Sequence, residues 1–476
     1  MRPVLTVAEM NAVDARAAAT TPLDVLVGRA GTAVAVTALE MLGGGYGRRA
    51  VVIAGRGNNG ADGRVAAQIL TCRGVRVQIV GAGTAESLGP ADLVIDAAYG
   101  TGFHGEYTAP ATEPGTRVLA VDIPSGVEGD TGRAAGSPLG AERTVTFVAL
   151  KPGLLQGDGV RLAGRVTVAD IGLPPGSSAI SMLEDADVSS LLAPRPREDN
   201  KWSAAVLVVA GSPGMVGAAS LCARAAYRSG AGMVRLGVPG AGLAGAPASE
   251  AVSVDLPAIG WSTSALEVAS RCAALVVGPG LGRDPATAAE VVRMVQDSPV
   301  PVVVDADGLF ALGRLEGGVG RRGGGPSEGV ILTPHDGEYR RLMGESPGSD
   351  RVDAARRLAS ASGAVGLLKG STTAVADPSG RVLVGTSGSP KLATAGTGDV
   401  LSGVIAALIA RGVAPPEAAG LAAHVHGRAG GRGPAEGLVA GDLPELVSEV
   451  LSDARASTRP VPPRADSPSG CADRRG

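Results

Sequence analysis

Lysine is nearly missing from this chain: of 43 Lys and Arg residues, only Lys151, Lys201, Lys369 and Lys391 are lysine. Each one either marks a place that needs a compact ammonium on a flexible stem or survives by chance, and the sequence leaves both readings open. Aromatics are equally scarce, at 2% of 476 residues, so the core must be built from Ala, Val and Leu. The four cysteines, Cys72, Cys222, Cys272 and Cys471, lie far apart, with no Cys-x-x-Cys pair and no histidines nearby. That excludes a disulfide framework and a structural zinc site, and a cytoplasmic setting is expected. No run of about 18 residues is apolar without interruption, and the first residues lack a basic start followed by an apolar core, so no membrane span or export signal is expected. A net charge of -3 gives no electrostatic reason to bind nucleic acid or a membrane surface, which leaves small molecules as the expected partners.

What the chain does have is length, glycine and repeated apolar runs. Its 476 residues exceed the size at which one core usually stops growing, so two domains are expected. Short β-branched runs alternate with Ala-rich segments in both halves, the pattern of parallel sheets flanked by helices. In the first half the strands are expected near residues 50–54, 75–80, 92–96, 117–122 and 144–148. In the second they are expected near 204–210, 233–238, 274–277, 300–305, 329–332 and 364–369, with a long helix over 398–410. Residues 174–200 turn to Pro, Ser and mixed charge and read as an interdomain linker. The expected division is therefore a first domain over 1–180, a linker over 181–200, a second domain over 201–452 and a disordered tail over 453–476. Because each side has its own strand set, the halves are expected to be separable.

The strongest motif is Gly396-Thr397-Gly398-Asp399 followed by an apolar helix. Such a turn places unpaired N–H groups and the positive helix end where a phosphate can sit, and Asp399 in the first helical turn can take a proton from an attacking hydroxyl. Around it stand Val277-Gly278-Pro279-Gly280-Leu281-Gly282, Val304-Asp305-Ala306-Asp307-Gly308, Thr333-Pro334-His335-Asp336-Gly337-Glu338 and Lys369-Gly370-Ser371-Thr372-Thr373. His335 reads either as a substrate contact or as a helix cap. Asp305 and Asp307 read equally as a magnesium pair or as turn chemistry. The set, over about residues 201–450, resembles the ribokinase-like superfamily and within it the ADP-dependent NAD(P)H-hydrate dehydratases. The resemblance implies that Lys369, Gly370, Ser371, Thr372, Thr373 and Gly398 hold the adenine nucleotide. It further implies that Ala218, Gly280, Gly282, His335 and Asp399 face the hydrated nicotinamide nucleotide, with Mg2+ in this domain and ADP as co-substrate.

In the first half, Gly55-Arg56-Gly57-Asn58-Asn59-Gly60-Ala61-Asp62-Gly63 lies between an apolar strand and a helix, a loose phosphate-loop pattern. Two further polar turns, Asp96 to Gly105 and Asp122 to Val127, also follow strands. In an open α/β sheet the carboxyl ends of the strands line one crevice, so the three turns converge. Together with Lys151-Pro152-Gly153 they resemble the NAD(P)H-hydrate epimerase domain over about residues 1–170. The implied substrate residues are Asn58, Asn59, Gly60, Ala61, Asp62, Gly100, Thr101, Gly102, Phe103, His104, Gly105, Glu106 and Asp122. Asp122 reads as a proton-transfer residue or a strand-end cap, and Asn59, Asp96 and Ser125 are the implied potassium ligands.

The fold class expected is α/β with two domains, an N-terminal Rossmann-like three-layer sandwich and a C-terminal ribokinase-like three-layer domain. The expected function is a fused repair enzyme for hydrated NADH and NADPH, epimerase then dehydratase, assembled as a homo-oligomer. Its alternatives are a ribokinase-like kinase of a small alcohol such as a hydroxymethyl-pyrimidine, and a nucleotide-sensing module without turnover, which an intact Asp399 argues against.

Overall fold

The computed structural model describes residues 1–242, 250–320 and 329–456. The first half is built on a six-stranded sheet in the order Arg76–Gly81, Arg49–Ala54, Leu93–Ala97, Arg117–Val121, Arg143–Phe147 and Arg165–Ala169, every neighbouring pair parallel. Within Arg49–Ala54, Ala50, Val52 and Ala54 join the core beneath helices Leu23–Leu42 and Asn58–Cys72, while Val51 and Ile53 join a core on the opposite face. Burial on both faces is why these strands read as unbroken apolar runs. Helix Leu23–Leu42 is long and apolar enough to cross a membrane by length and composition. Here it buries Ala30, Val34, Ala35, Ala38 and Met41 in that first core instead.

The second sheet has eleven strands among the described residues, most of them from the second half. From Val365–Leu368 through Val330–Leu332, Val302–Val304, Ala274–Val277, Ala205–Val209 and Met233–Gly237 to Val252–Val254 the neighbours are all parallel. Val206 and Val208 face one core with helices Gly217–Arg228, Thr397–Ala410 and Pro415–Arg432. Ala205, Leu207 and Val209 face the other, with helices Trp261–Ala269, Pro285–Asp297 and Arg351–Ser362. Both halves are thus helix-flanked sheets, the α/β class expected, and the strands foreseen from the sequence are present.

The expected division needs correction at three places. Residues 181–200 are not a free linker, because Ile180–Met182 pairs with Val382–Gly385 and Asp185–Leu191 is a helix. Their apolar residues Leu183, Val188 and Leu192 are buried in the second-half core, a spaced pattern hidden among Ser, Asp and Pro. The chain's beginning crosses over as well: Arg2–Val4 pairs antiparallel with Ile180–Met182 at the edge of the second-half sheet. Val4, Ile123, Leu150, Leu154 and Leu155 lie in the same apolar core as Leu207 and Val304, so the halves share a core rather than a polar joint. Lastly, helix Leu443–Ala456 runs past the expected tail boundary, and the rest of that tail lies outside the described residues.

Candidate active sites

The carboxyl ends of Arg49–Ala54, Leu93–Ala97 and Arg117–Val121 open into a cavity of about 1070 Å³ lined by Asn58, Asn59, Asp62, Gly100, Phe103, Asp122 and Lys151 among others. The loop after the first of these strands turns so tightly that a Cβ on Gly55 would lie 1.9 Å from the Ala98 carbonyl oxygen, and one on Gly60 2.0 Å from that of Gly55. Only glycine fits either place. Asp122 has φ 66, a left-handed conformation that β-carbon residues rarely adopt, and its carboxylate is fully used. Oδ1 accepts from Lys151 Nζ at 2.7 Å and from Thr146 Oγ1 at 3.1 Å, and Oδ2 accepts from the Thr101 N–H at 3.1 Å. Burial works to raise this carboxyl, but the Lys151 ammonium and these bonds outweigh it and hold it below the usual range. Asp62, on the same cavity, has no such partner among the described residues, and burial together with the charge of Asp122 pushes it up to about 8. One ionised and one protonated carboxyl therefore share the cleft at neutral pH, an arrangement suited to moving a proton.

Behind this cleft Asp96 is 1% exposed and accepts from Ser125 Oγ at 2.6 Å, the Ser125 N–H at 2.9 Å and the Ala98 N–H at 3.4 Å. All three donors are neutral, and burial raises the carboxyl despite them. The side-chain nitrogen of Asn59 is buried without a partner among the described residues.

In the second half, a cavity of about 820 Å³ opens between the turn at Lys369 to Thr373 and the start of helix Thr397–Ala410. The Thr397 hydroxyl donates to the carbonyls of Leu392 and Thr394 at 2.9 and 3.1 Å, tying the preceding loop to the helix start. Gly396 there has φ 90, and a Cβ on it would lie 2.6 Å from Leu221 Cδ1. Lys369 Nζ donates to Asp305 Oδ1 at 2.8 Å and lies 3.8 Å from Glu338 Oε2, while Ser402 donates to Asp305 Oδ2 at 2.8 Å. Burial and the neighbouring Asp305 carboxylate push Asp399 up to about 7, with Lys369 pulling the other way. A carboxyl poised near neutral pH at a helix N-terminus is placed to accept a proton beside a bound phosphate.

Two family models match the chain: NAD(P)H-hydrate dehydratase over residues 206–452, and YjeF-related protein N-terminus over 23–88 and 80–153. The bifunctional NAD(P)H-hydrate repair enzyme Nnr of Moorella thermoacetica is 37% identical, over 94% of this chain and 96% of its own. The chain belongs to the bifunctional NAD(P)H-hydrate repair enzymes. The enzyme of the same name from Mycobacterium leprae is also 37% identical, over 96% of this chain and 99% of its own. The solved ADP/ATP-dependent NAD(P)H-hydrate dehydratase of Bacillus subtilis, crystallised with ATP and Mg2+, covers 57% of this chain and 97% of its own at 27% identity and a TM-score of 0.47.

Not every residue that the resemblance to these repair enzymes nominated lines a cavity. In the first half Asn58, Asn59, Asp62, Gly100, Thr101, Gly102, Phe103 and Asp122 do, whereas Gly60, Ala61, His104, Gly105 and Glu106 do not. In the second, Lys369, Gly370, Ser371, Thr373, Gly398, His335 and Asp399 do. Thr372 is 2% exposed and is not in the cavity wall. Ala218 and Gly280 lie against each other outside that wall, and the Gly282 N–H donates to Asp307 Oδ2 at 3.0 Å. His335 is both cap and cavity residue, since its Nδ1 accepts from the Gly337 N–H at 2.9 Å. Of the four lysines, Lys151 and Lys369 sit on site carboxylates, Lys391 donates to the Gly433 carbonyl at a helix C-terminus at 2.8 Å, and Lys201 is exposed. Among the cavity residues not foreseen from the sequence is His426, whose Nε2 is buried without a partner among the described residues and whose pKa burial lowers to about 4. Its signal was rarity, as one of only four histidines.

Proposed function

We propose that this repair enzyme interconverts the R and S hydrates of NADH and NADPH in its N-terminal cleft and dehydrates the S form in its C-terminal cavity at the expense of ADP. The observation that carries the second step is Asp399, poised near neutral pH at a helix start opposite the Lys369–Asp305 pair. On this reading Asp399 takes the proton from the hydroxyl on the carbon beside the ring nitrogen. That oxygen attacks the terminal phosphoryl of ADP, releasing AMP. Phosphate then departs with the carbon–oxygen bonding pair as the nitrogen lone pair moves in, and loss of a proton from the neighbouring carbon restores the ring double bond. Lys369, Gly370, Ser371 and Thr373 on the turn and the helix start at Gly398 hold the nucleotide, and preorganised donors supply most of the rate. The kinase alternative, which leaves a stable phosphorylated alcohol, is not favoured by the named relatives. Incubation with chemically prepared NADH hydrate tests the proposal: restored NADH absorbance is expected with ADP and not without it.

In the cleft, Asp122 and Asp62 are the groups that hold and move protons, and Lys151 keeps Asp122 ionised. Potassium fits beside Asp96, a buried carboxylate that among the described residues meets only neutral donors, because a cation there would offset its charge. When bound, that ion would steady the turn carrying Ser125. A protein-held magnesium fits less well. Asp305 is taken by Lys369 and Ser402 and Asp307 by Arg283 and Gly282, and among the described residues no acidic, His or Cys cluster could hold a metal. Mg2+ would enter with the nucleotide's phosphates. The substrates and the buried free thiols of Cys222 and Cys272 fit the cytoplasmic setting.

A further inference from the structure

The segment from Lys151 to Gln156 belongs to the first half, yet its far end is built into the second. Lys151 starts it on Asp122, in the N-terminal cleft. The short helix Pro152–Leu155 then buries Leu154 and Leu155 in the core shared by the halves. The Leu155 carbonyl accepts from Thr372 Oγ1, which accounts for that hydroxyl facing away from the nucleotide cavity. Gln156 is 1% exposed and fully satisfied. Its Oε1 accepts from the N–H groups of Arg351 and Val352 at 2.9 and 3.2 Å, donors that helix Arg351–Ser362 leaves free in its first turn. Its Nε2 donates to the Asp130 carbonyl at 2.6 Å and to Asp350 Oδ1 at 3.1 Å.

What Gln156 holds is the support of the nucleotide turn. The Arg351 guanidinium donates to the carbonyls of Lys369 and Thr372, spanning the turn from behind, and to Asp336 Oδ1 at 3.0 Å. It lies so close that a Cβ on Gly370 would be 2.6 Å from its Nη2. The turn is therefore braced from behind by one arginine, whose own main-chain N–H is held by a glutamine of the other half.

We propose that Gln156 and Leu155 are positioning residues for the dehydratase: from the epimerase half they set the turn at Lys369 to Thr373 in its nucleotide-binding shape. The inference rests on the assignment of that turn to ADP, and the two are separable by experiment. Protection of the amides of residues 369–373 from hydrogen exchange when ADP is added to the wild-type chain tests the assignment. Gln156→Leu in the full-length chain, compared with wild type in the absence of ADP, tests the positioning. The leucine fills the space but strips two buried N–H groups of their acceptor, so the support loosens while Asp399 and the cleft are untouched. The KM for ADP is expected to rise about tenfold, as for the loss of a buried hydrogen bond, with kcat and the epimerisation rate within about twofold of wild type. Exchange at residues 369–373 should quicken. Thr372→Val, which removes only the bond to Leu155, should shift KM in the same direction and serves if the first variant does not fold. Wild-type KM and exchange in the variant, or equal falls in both activities, would overturn the proposal; the second result would reduce Gln156 to a fold residue.

Discussion

At the level of single residues, the two cavities hold carboxyls whose surroundings push them in opposite directions. Asp122 is held down by Lys151, Asp62 is lifted to about 8, and Asp399 is lifted to about 7. Asp399 must be ionised to accept a proton, so dehydration at low substrate should climb as pH rises toward about 7 and level above it. The same shift has a stability consequence with a fixed sign. Its pKa rises from 3.8 unperturbed to about 7 in the fold, so its contribution to stability is full below the first value and is lost as pH rises through the second. Asp399→Asn removes that titration, so the variant should melt above wild type at pH 8 and close to it near pH 4, a comparison that scanning calorimetry makes directly. A variant that melts lower at pH 8 would show that Asp399 stabilises the fold and is not strained for function. The motif was legible from Gly-Thr-Gly-Asp alone. The lift of Asp399 was not, because Asp305 and Glu338, which help to produce it, are far from it in sequence.

At the scale of elements, the parallel strands and the helix after Gly398 were legible because a strand buried on both faces leaves an unbroken apolar run. The edge was not. Arg2–Val4 and Ile180–Met182 are short, and their partners lie far away in the chain, so nothing local distinguishes them from loop. The reach of each site was also unclear from sequence: a nucleotide turn lists its residues in order, yet Thr372 faces the opposite way from its neighbours. The helix that carries Asp399 in its first turn starts at Gly396. Gly396→Ala would place a side chain in a left-handed conformation and against Leu221, costing at least about 1 kcal/mol. Dehydration should fall by more than epimerisation in that variant. Equal losses in the two assays would mean the glycine serves the fold alone.

At the scale of the whole molecule, the polar composition of residues 174–200 pointed to separable halves, and the shared core points the other way. Starting the second half at residue 196 strips it of Ile180–Met182, Leu183, Val188 and Leu192 and exposes the core that Leu150, Leu154 and Leu155 cover. Fragments 1–180 and 196–456 expressed apart should be poorly soluble, while the intact chain should lose both activities in one thermal transition. Two soluble fragments, each with full activity, would restore the two-domain division drawn from composition. The central claim, one chain carrying two successive repair steps with Asp399 as the base of the second, is met most directly by one measurement. An equilibrated mixture of R and S NADH hydrates is incubated with ADP and either wild-type enzyme or Asp399→Asn, following NADH absorbance and the R-to-S ratio together. Wild type should restore the whole mixture to NADH with one AMP per turnover. The variant should restore it at least about a hundredfold more slowly while still equilibrating pure R with S at the wild-type rate. Near-full ADP-dependent turnover by the variant, or a stable phosphorylated product from wild type, would contradict the account.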